Sequence, residues 1–325
     1  MIGADHGKPG TRRRGNVVTE WLAYVVMRAL AAVLGLMSVE ASLRFARFLG
    51  RCLWWRYGRG RRRALENLRA SFPDKDPAWI QSVARRSFEQ MAMLALDVLF
   101  TPQRVRRDNW SQYSTYKNVE RLKWMLQEGR GLILVTGHYG NFEIIGHVIS
   151  LFGFTIHSVA RPLDNRFVDR YLRRIRERTG QRIIDKKGAA DLMALAPEQG
   201  ISLGLIADQD AGRKGIFVDF FGRKASTYKS IALLAATRDM PIAVGYARRM
   251  GDRFFFEIGV TRIIFPKEWA DQADPLHWIT AEYTMAIEQF VREDPTQYWW
   301  VHRRWKTRPR EERASSPGVA QDRGQ

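Results

Sequence analysis

The residues with the clearest chemical potential lie in one short stretch: Gly137, His138, Tyr139, Gly140, Asn141, Phe142 and Glu143. An imidazole can take a proton from a hydroxyl, while a neighbouring carboxylate fixes the ring tautomer and stabilises the imidazolium. His138 and Glu143 form a His-x4-Glu spacing. Such a spacing aligns two side chains neither on one helix face nor on one strand face. It can bring them together across a strand–turn–helix corner. Residues 131–136 are a short apolar, β-branched run that reads as a buried strand. Gly137 and Gly140 then allow a tight turn. Glu143 falls in the first turn of the following helix, where the helix dipole favours a carboxylate. A histidine just beyond the carboxyl end of such a strand stands where open α/β sheets place their sites.

Spacing alone is a weak signal. His277 and Glu282 repeat it, yet they lie in a helical pattern with no strand and no glycine turn, so His277 reads as structural. Context separates the two.

The elements that must position His138 follow a β/α alternation. Residues 63–100 are helical in pattern, interrupted by Pro73 and Pro77. After the strand at 131–136, Asp164 precedes a helical pattern through Phe167, Tyr171, Leu172 and Ile175 that stops at Gly180. Residues 182–185 predict a strand, 189–198 a helix, 201–207 a buried strand and 227–237 a helix. Residues 241–247 and 253–260 predict a hairpin about Gly251 and Asp252, placed at a sheet edge. A last helix is expected over 275–292. The fold class is therefore α/β: a central mostly parallel or mixed sheet flanked by helices, with an N-terminal membrane-associating helical segment.

That segment spans residues 21–63. Residues 21–38 are apolar apart from Arg28, close to the length of about 20 residues that a membrane helix wants. Residues 43–63 interleave arginines with Phe45, Phe48, Trp54, Trp55 and Tyr57, a mixture suited to an anionic headgroup layer. A basic helix packed on the protein's own core is the alternative. A signal peptide with a small-residue site at Val39, Glu40 and Ala41 also fits in part, but the arginine–aromatic pattern continues beyond it, and cleavage is not expected. Residues 1–20 read as a basic flexible tail, 64–310 as the α/β domain and 311–325 as a disordered tail.

Composition narrows the chemistry. Lys and Arg number 53 against 34 Asp and Glu, a formal net charge of +19 over 325 residues. Such a surface suits an anionic partner, nucleic acid or anionic lipid. A hydrophobic fraction of 45% excludes a disordered chain. The single cysteine, Cys52, excludes an internal disulfide framework and a cysteine-cluster metal site. A basic nucleic-acid-binding protein would explain the charge but neither the buried strand ending in His138 nor the apolar N-terminal run, and no RNA-recognition signature is present. Nucleic acid is not expected as a partner.

The segment from Gly137 to Glu143 resembles the signature of the bacterial lipid A biosynthesis (lauroyl/myristoyl) acyltransferases, within the lysophospholipid acyltransferase superfamily. Further blocks agree in order. Asn67 and Leu68 with Phe72 and Pro73 resemble an N-terminal block. Arg161, Pro162, Leu163, Asp164 and Asn165 resemble an arginine motif, and Ala207, Asp208, Gln209 and Asp210 follow a strand as the family's do. Phe220, Phe221 and Gly222 with Thr227, and the segment 298–309 rich in Trp and Arg, are similar to the closing blocks. The ordered set covers most of the chain up to Pro309.

The resemblance implies transfer of a fatty acyl chain from a thioester, on acyl carrier protein or coenzyme A, to a hydroxyl of a membrane glycolipid. A lipid A precursor is the expected acceptor, with phosphatidylinositol mannoside or glycerophospholipid as alternatives. It implies His138 as base with Glu143 as its orienting partner. Arg161, Asn165 and Asp208 would bind substrate or shape the site. Arg161 would meet phosphate or, alternatively, form a surface ion pair with Asp164. Asp208 would bind His or Arg groups in the site or cap the next segment. Phe217, Phe220 and Phe221 would line an acyl groove or belong to ordinary core. No cofactor or metal is expected, since a hydroxyl and a thioester need neither. The expected location is the bacterial inner membrane, with the active site facing the cytoplasm.

Overall fold

A computed structural model describes residues 16–310 except 130, 179 and 186–199. The tail before residue 16, the helix expected at 189–198 and the tail from 311 lie outside the described residues. The chain is helical from Val17 onward, so the first helix starts four residues before the apolar run.

Four helices come first. α1 (Val17–Leu36) is capped by the Asn16 side chain, and α2 (Val39–Arg56) by Ser38. α3 (Gly58–Ser71) follows. α4 (Pro77–Arg104) begins with Asp76 as cap and Pro77 at the first helical position. Pro73 and Pro77 thus separate α3 from α4, as the sequence predicts. α2 crosses α4 backbone to backbone at Gly50, where an added Cβ would lie 2.6 Å from the Glu89 Cα. Leu43, Ala46, Trp54, Ala64 and Leu68 from α2 and α3 are buried. These two helices are therefore part of the core packing, while α1 buries only Leu34.

The α/β part contains β1 (Ser114–Lys117), α5 (Glu120–Gln127), β2 (Ile133–Thr136), α6 (Phe142–Leu151), β3 (Ile156–Ala160), α7 (Arg166–Glu177), β4 (Arg182–Asp185) and β5 (Ser202–Ile206). An antiparallel hairpin, β6 (Ile216–Phe220) and β7 (Arg223–Thr227), stands apart from the main sheet. Then come α8 (Lys229–Arg238), β8 (Ile242–Arg249), β9 (Phe256–Ile264), the short α9 (Pro266–Trp269) and α10 (Pro275–Glu293). The seven-stranded sheet has the order β1-β9-β8-β2-β5-β3-β4. The run from β8 through β2, β5 and β3 to the edge strand β4 is parallel throughout.

The β8–β9 hairpin exists as expected, but not at an edge. β9 pairs antiparallel with β8 and is covered by β1, which runs parallel to it. The sequence Ser-Thr-Tyr-Lys of β1 is too short and polar to show period-two burial, so the edge strand on this side of the sheet went unread. Within β2, Ile133 and Val135 pack with Tyr283, Ile287 and Phe290 of α10, whereas Leu134 packs with Met125 of α5 and Ile149 of α6. Helices cover both faces, as a parallel sheet requires.

Candidate active site

β2 ends at Thr136 and the chain turns at once. Gly140 has φ +52°, and a Cβ there would lie 2.0 Å from the Ala247 carbonyl oxygen. Only glycine fits this turn. The Asn141 side chain accepts a hydrogen bond from the Ile144 N–H and so starts α6. The turn is also pinned from the far end of the chain. Gly140 N–H donates to the Gln297 carbonyl at 3.0 Å, Trp299 N–H donates to the His138 carbonyl at 3.1 Å, and Tyr139 bridges to Tyr298.

His138 is 9% exposed and Asp208 1%. They follow the carboxyl ends of β2 and β5, which are adjacent parallel strands in the sheet. Ala207 N–H donates to the Thr136 carbonyl at 2.9 Å and extends that pairing to the doorstep of both side chains. The Asp208 carboxylate then holds His138 twice. Its Oδ2 accepts from the His138 backbone N–H at 2.8 Å, and its Oδ1 lies 2.7 Å from the ring Nδ1. An Nδ1–H donated to Oδ1 leaves Nε2 as the acceptor, the form a base needs. Gln209 Nε2 stands 3.5 Å from that Nε2.

The ring is enclosed by Phe142, Trp299 and His302, with ring centroids at 5.3, 5.1 and 4.4 Å. Burial alone would raise the Asp208 carboxyl, but the charge and hydrogen bonds of His138, with a contribution from His302, hold it well below the usual carboxylate range. Burial and the His138 charge push His302 down to about 4, so it is neutral at neutral pH. His138, Asp208 and His302 bring three potential metal donors within 4.8 Å of one another. The 2.7 Å separation of Nδ1 and Oδ1 is a hydrogen-bond length, and the carboxylate's second oxygen is taken by a backbone N–H. The set is built as a proton-handling cluster.

The structure does not bring Glu143 to His138. Phe142 occupies the position against the imidazole, and one further helical step turns Glu143 toward α7. There Arg176 grips it with two bonds, Nε to Oε2 at 2.8 Å and Nη2 to Oε1 at 2.5 Å. The carboxylate on the imidazole Nδ1 is that of Asp208, in the place the resemblance implies for Glu143. Arg161 lies at the end of β3, 85% exposed, 3.6 Å from an Asp164 that is 92% exposed. Asn165 serves α7: its Oδ1 accepts from the Phe167 and Val168 N–H groups, and its Nδ2 donates to the Glu20 carbonyl at 2.7 Å. Phe220 and Phe221 are buried against Trp305 and Trp300 in ordinary core.

Sequence reasoning missed His302 and Gln209, although both lie inside blocks it had singled out. Arg304 is buried and donates to the carbonyls of Gln209 and Ser226 and to Thr227 Oγ1. Asn67 Nδ2 donates to the carbonyls of Trp300 and His302, which explains why the distant N-terminal block accompanies the closing one.

A cavity of about 1730 Å³ reaches His138, Gln209 and Trp299 and extends between α1, α5, α6 and the sheet. That exceeds the few hundred to a thousand Å³ of a common small-ligand site. Its walls include Leu126, Ile149, Phe154, Ile156 and Val260, with Arg161, Arg173 and Arg176 as polar members.

A large, mainly apolar cavity lined in part by an imidazole that a carboxylate orients is the layout of an enzyme site for an apolar substrate. Known proteins make the class specific. The family described as bacterial lipid A biosynthesis acyltransferase matches residues 9–307. The chain is 26% identical over 284 residues to a lipid A biosynthesis acyltransferase of Haemophilus influenzae, covering 83% of this chain and 86% of that one. It is 25% identical to the lipid A biosynthesis lauroyltransferase of Escherichia coli, covering 89% and 88%. The same bacterium's lipid A biosynthesis myristoyltransferase matches at 25%, covering 89% and 87%. The protein is an acyltransferase, and the chain belongs to the bacterial lipid A biosynthesis acyltransferase family.

Proposed function

We propose that the protein transfers a fatty acyl chain from a thioester to a hydroxyl of a lipid A precursor at the cytoplasmic face of the inner membrane, with His138 as general base and Asp208 as its orienting partner. The observation that carries this reading is the doubly held His138 in the wall of the apolar cavity. The acceptor hydroxyl gives its proton to Nε2 while its oxygen attacks the thioester carbonyl carbon. The carbon–sulfur bond breaks, and the leaving thiolate takes the proton back from the imidazolium. Asp208, ionised and dry, stabilises that imidazolium without itself becoming protonated. The cavity holds the acyl chain away from water. Acyl carrier protein, being acidic, matches the +19 surface better than a small thioester requires. Arg161, exposed at the cavity rim, meets the phosphate of the acceptor, and its loose contact with Asp164 gives way readily.

The test is turnover of a lipid A precursor with acyl-carrier-protein or coenzyme A thioester by the wild type and by His138→Ala. Removing a positioned base lowers kcat about 10²–10⁴-fold. Near-normal turnover by a folded His138→Ala protein would sink the mechanism.

A further inference from the structure

α1 is the one helix among the described residues long and apolar enough to cross a membrane. How it is seated argues that it does not. Its less exposed positions are Glu20, Tyr24, Met27, Ala31 and Leu34, spaced by four and three, which is one stripe of a helix. The opposite face, with Val18, Leu22, Val25, Val26 and Val33, is exposed and uncharged along its length. The two charged residues of α1, Glu20 and Arg28, are both spoken for by α7 and its cap. The Glu20 carbonyl accepts from Asn165, its carboxylate lies 3.8 Å from Arg166, and the Arg28 guanidinium sits 4.5 Å over the Tyr171 ring. Tyr24 meets Phe167 and Tyr171 between them, at centroid distances of 6.0 and 6.1 Å. From Met27 onward, Met27, Leu30, Ala31 and Leu34 wall the cavity that reaches His138.

The catalytic part therefore follows α1 for most of its length. From Glu20 to Arg28 the helix rises about 12 Å at about 1.5 Å per residue. Were α1 upright in a bilayer, α7 would be carried that far into hydrocarbon. Yet α7 exposes Arg170 and Arg174, with Arg178 just beyond it, and arginines on a lipid-immersed helix are costly. Laid in the surface plane, the same geometry is favourable: the bare face of α1 enters the acyl layer and the arginines of α7 reach anionic headgroups.

We infer that α1 is an in-plane anchor, docked on α7 through Glu20, Tyr24 and Arg28, that lies in one leaflet of an anionic bilayer and forms the wall between that leaflet and the acyl cavity. This rests on the membrane location proposed above. The occupant of the bare face is the lipid surface, since an unbroken apolar stripe beside exposed arginines is complementary to acyl chains below phosphate.

The test uses the full chain in right-side-out and inverted membrane vesicles with a membrane-impermeant maleimide. Cys52, the sole cysteine, is exposed after α1; a Cys52→Ser, Gly10→Cys variant places the thiol before it. An in-plane α1 gives both thiols labelling in the same vesicle orientation. Labelling of the two in opposite orientations means that α1 crosses, and overturns the inference. Sedimentation sets the underlying reading apart: protein that stays in the supernatant of anionic vesicles removes the membrane location and the inference with it. Docking is read separately, by oxidative cross-linking of Tyr24→Cys to Phe167→Cys in a Cys52→Ser background within membranes. A cross-link is expected; same-side labelling without one would remove the α7 contact from the proposal.

Discussion

Two carboxylates stand close to the apolar cavity, Glu143 in its wall and Asp208 behind His138, and they are held in opposite ways. Asp208 is sealed from water, and both of its oxygens are bound to His138, one through the backbone and one through the ring. Glu143 lies on the α6 side, partly exposed, bound to the guanidinium of Arg176. The first pairing links the ends of two adjacent strands; the second links a helix start to the end of another helix. The ends of two paired interior strands fix angle and distance, which suits a group that must hold one tautomer. A helix-to-helix ion pair fixes the wall of the site and tolerates small movement. Five residues of local sequence can bring Glu143 and His138 together, but the sheet order, which seats β5 beside β2, brings Asp208 to the ring instead.

The largest effect that can break this comparison is Asp208→Asn. The amide keeps size and shape but cannot accept from both N–H groups of His138. If its oxygen serves the backbone, its NH₂ faces Nδ1, which must then be the acceptor, and Nε2 carries the proton and ceases to be a base. Turnover should fall on the order of 10²–10⁴-fold with little change in acceptor KM. Equal losses from Asp208→Asn and Glu143→Gln would abolish the distinction between the two carboxylates.

His302 sharpens the comparison from the buried side. Its folded-state value near 4 lies below the ordinary 6.5, so the unfolded chain binds the proton first. Stability is full above about pH 6.5 and falls as the pH drops toward 4, by up to about 3 kcal/mol at 1.36 kcal/mol per unit. His302→Gln should flatten that part of the curve, measured as denaturant midpoint against pH. The Asp208 carboxyl, held low by His138, works in the same sense at more acid pH: its contribution is present above the ordinary carboxylate range and lost as pH falls through the depressed value. An unaltered slope between pH 6.5 and 4 in His302→Gln would remove His302 from the buried cluster.

Glu143→Gln tests the other region. The two charge-assisted bonds to Arg176 should cost about 1–3 kcal/mol of stability when the carboxylate is lost, read as a lower thermal midpoint. Turnover should change by about tenfold or less, because His138 keeps its tautomer through Asp208.

The contrast also explains what was legible before the fold was known. The strands at 133–136, 182–185 and 202–206, the glycine turn and the helices at 166–177 and 229–238 follow from local periodicity and turn chemistry, and they fall close to where the sequence places them. His138 was readable because a buried strand and two glycines surround it. Asp208 stood out only through the resemblance, as a group that would bind His or Arg or else cap the next segment; that it holds the ring, and that His302 joins it, depends on strand order and on the return of the closing segment, which leave no local pattern. β1 and the β6–β7 hairpin went unread for the related reason that Ser-Thr-Tyr-Lys and Arg-Lys-Ala-Ser-Thr owe their strand form to a neighbour.

The smallest effect belongs to Arg161, the most exposed of the residues in question. An ion pair with both side chains out in solvent contributes at most about 1 kcal/mol and often nothing, so Arg161→Ala should leave the thermal midpoint unchanged. Any loss it causes then belongs to substrate. With Arg161 meeting the acceptor phosphate, KM for a phosphorylated acceptor should rise about tenfold, equivalent to about 1.4 kcal/mol, while kcat holds, the signature of binding shared by ground and transition states. An acceptor lacking the phosphate should show no difference between Arg161→Ala and wild type. A fall in kcat with unchanged KM would instead move Arg161 to the reacting carbonyl, and the line between a rigid catalytic pair and a compliant binding rim would have to be redrawn through β3.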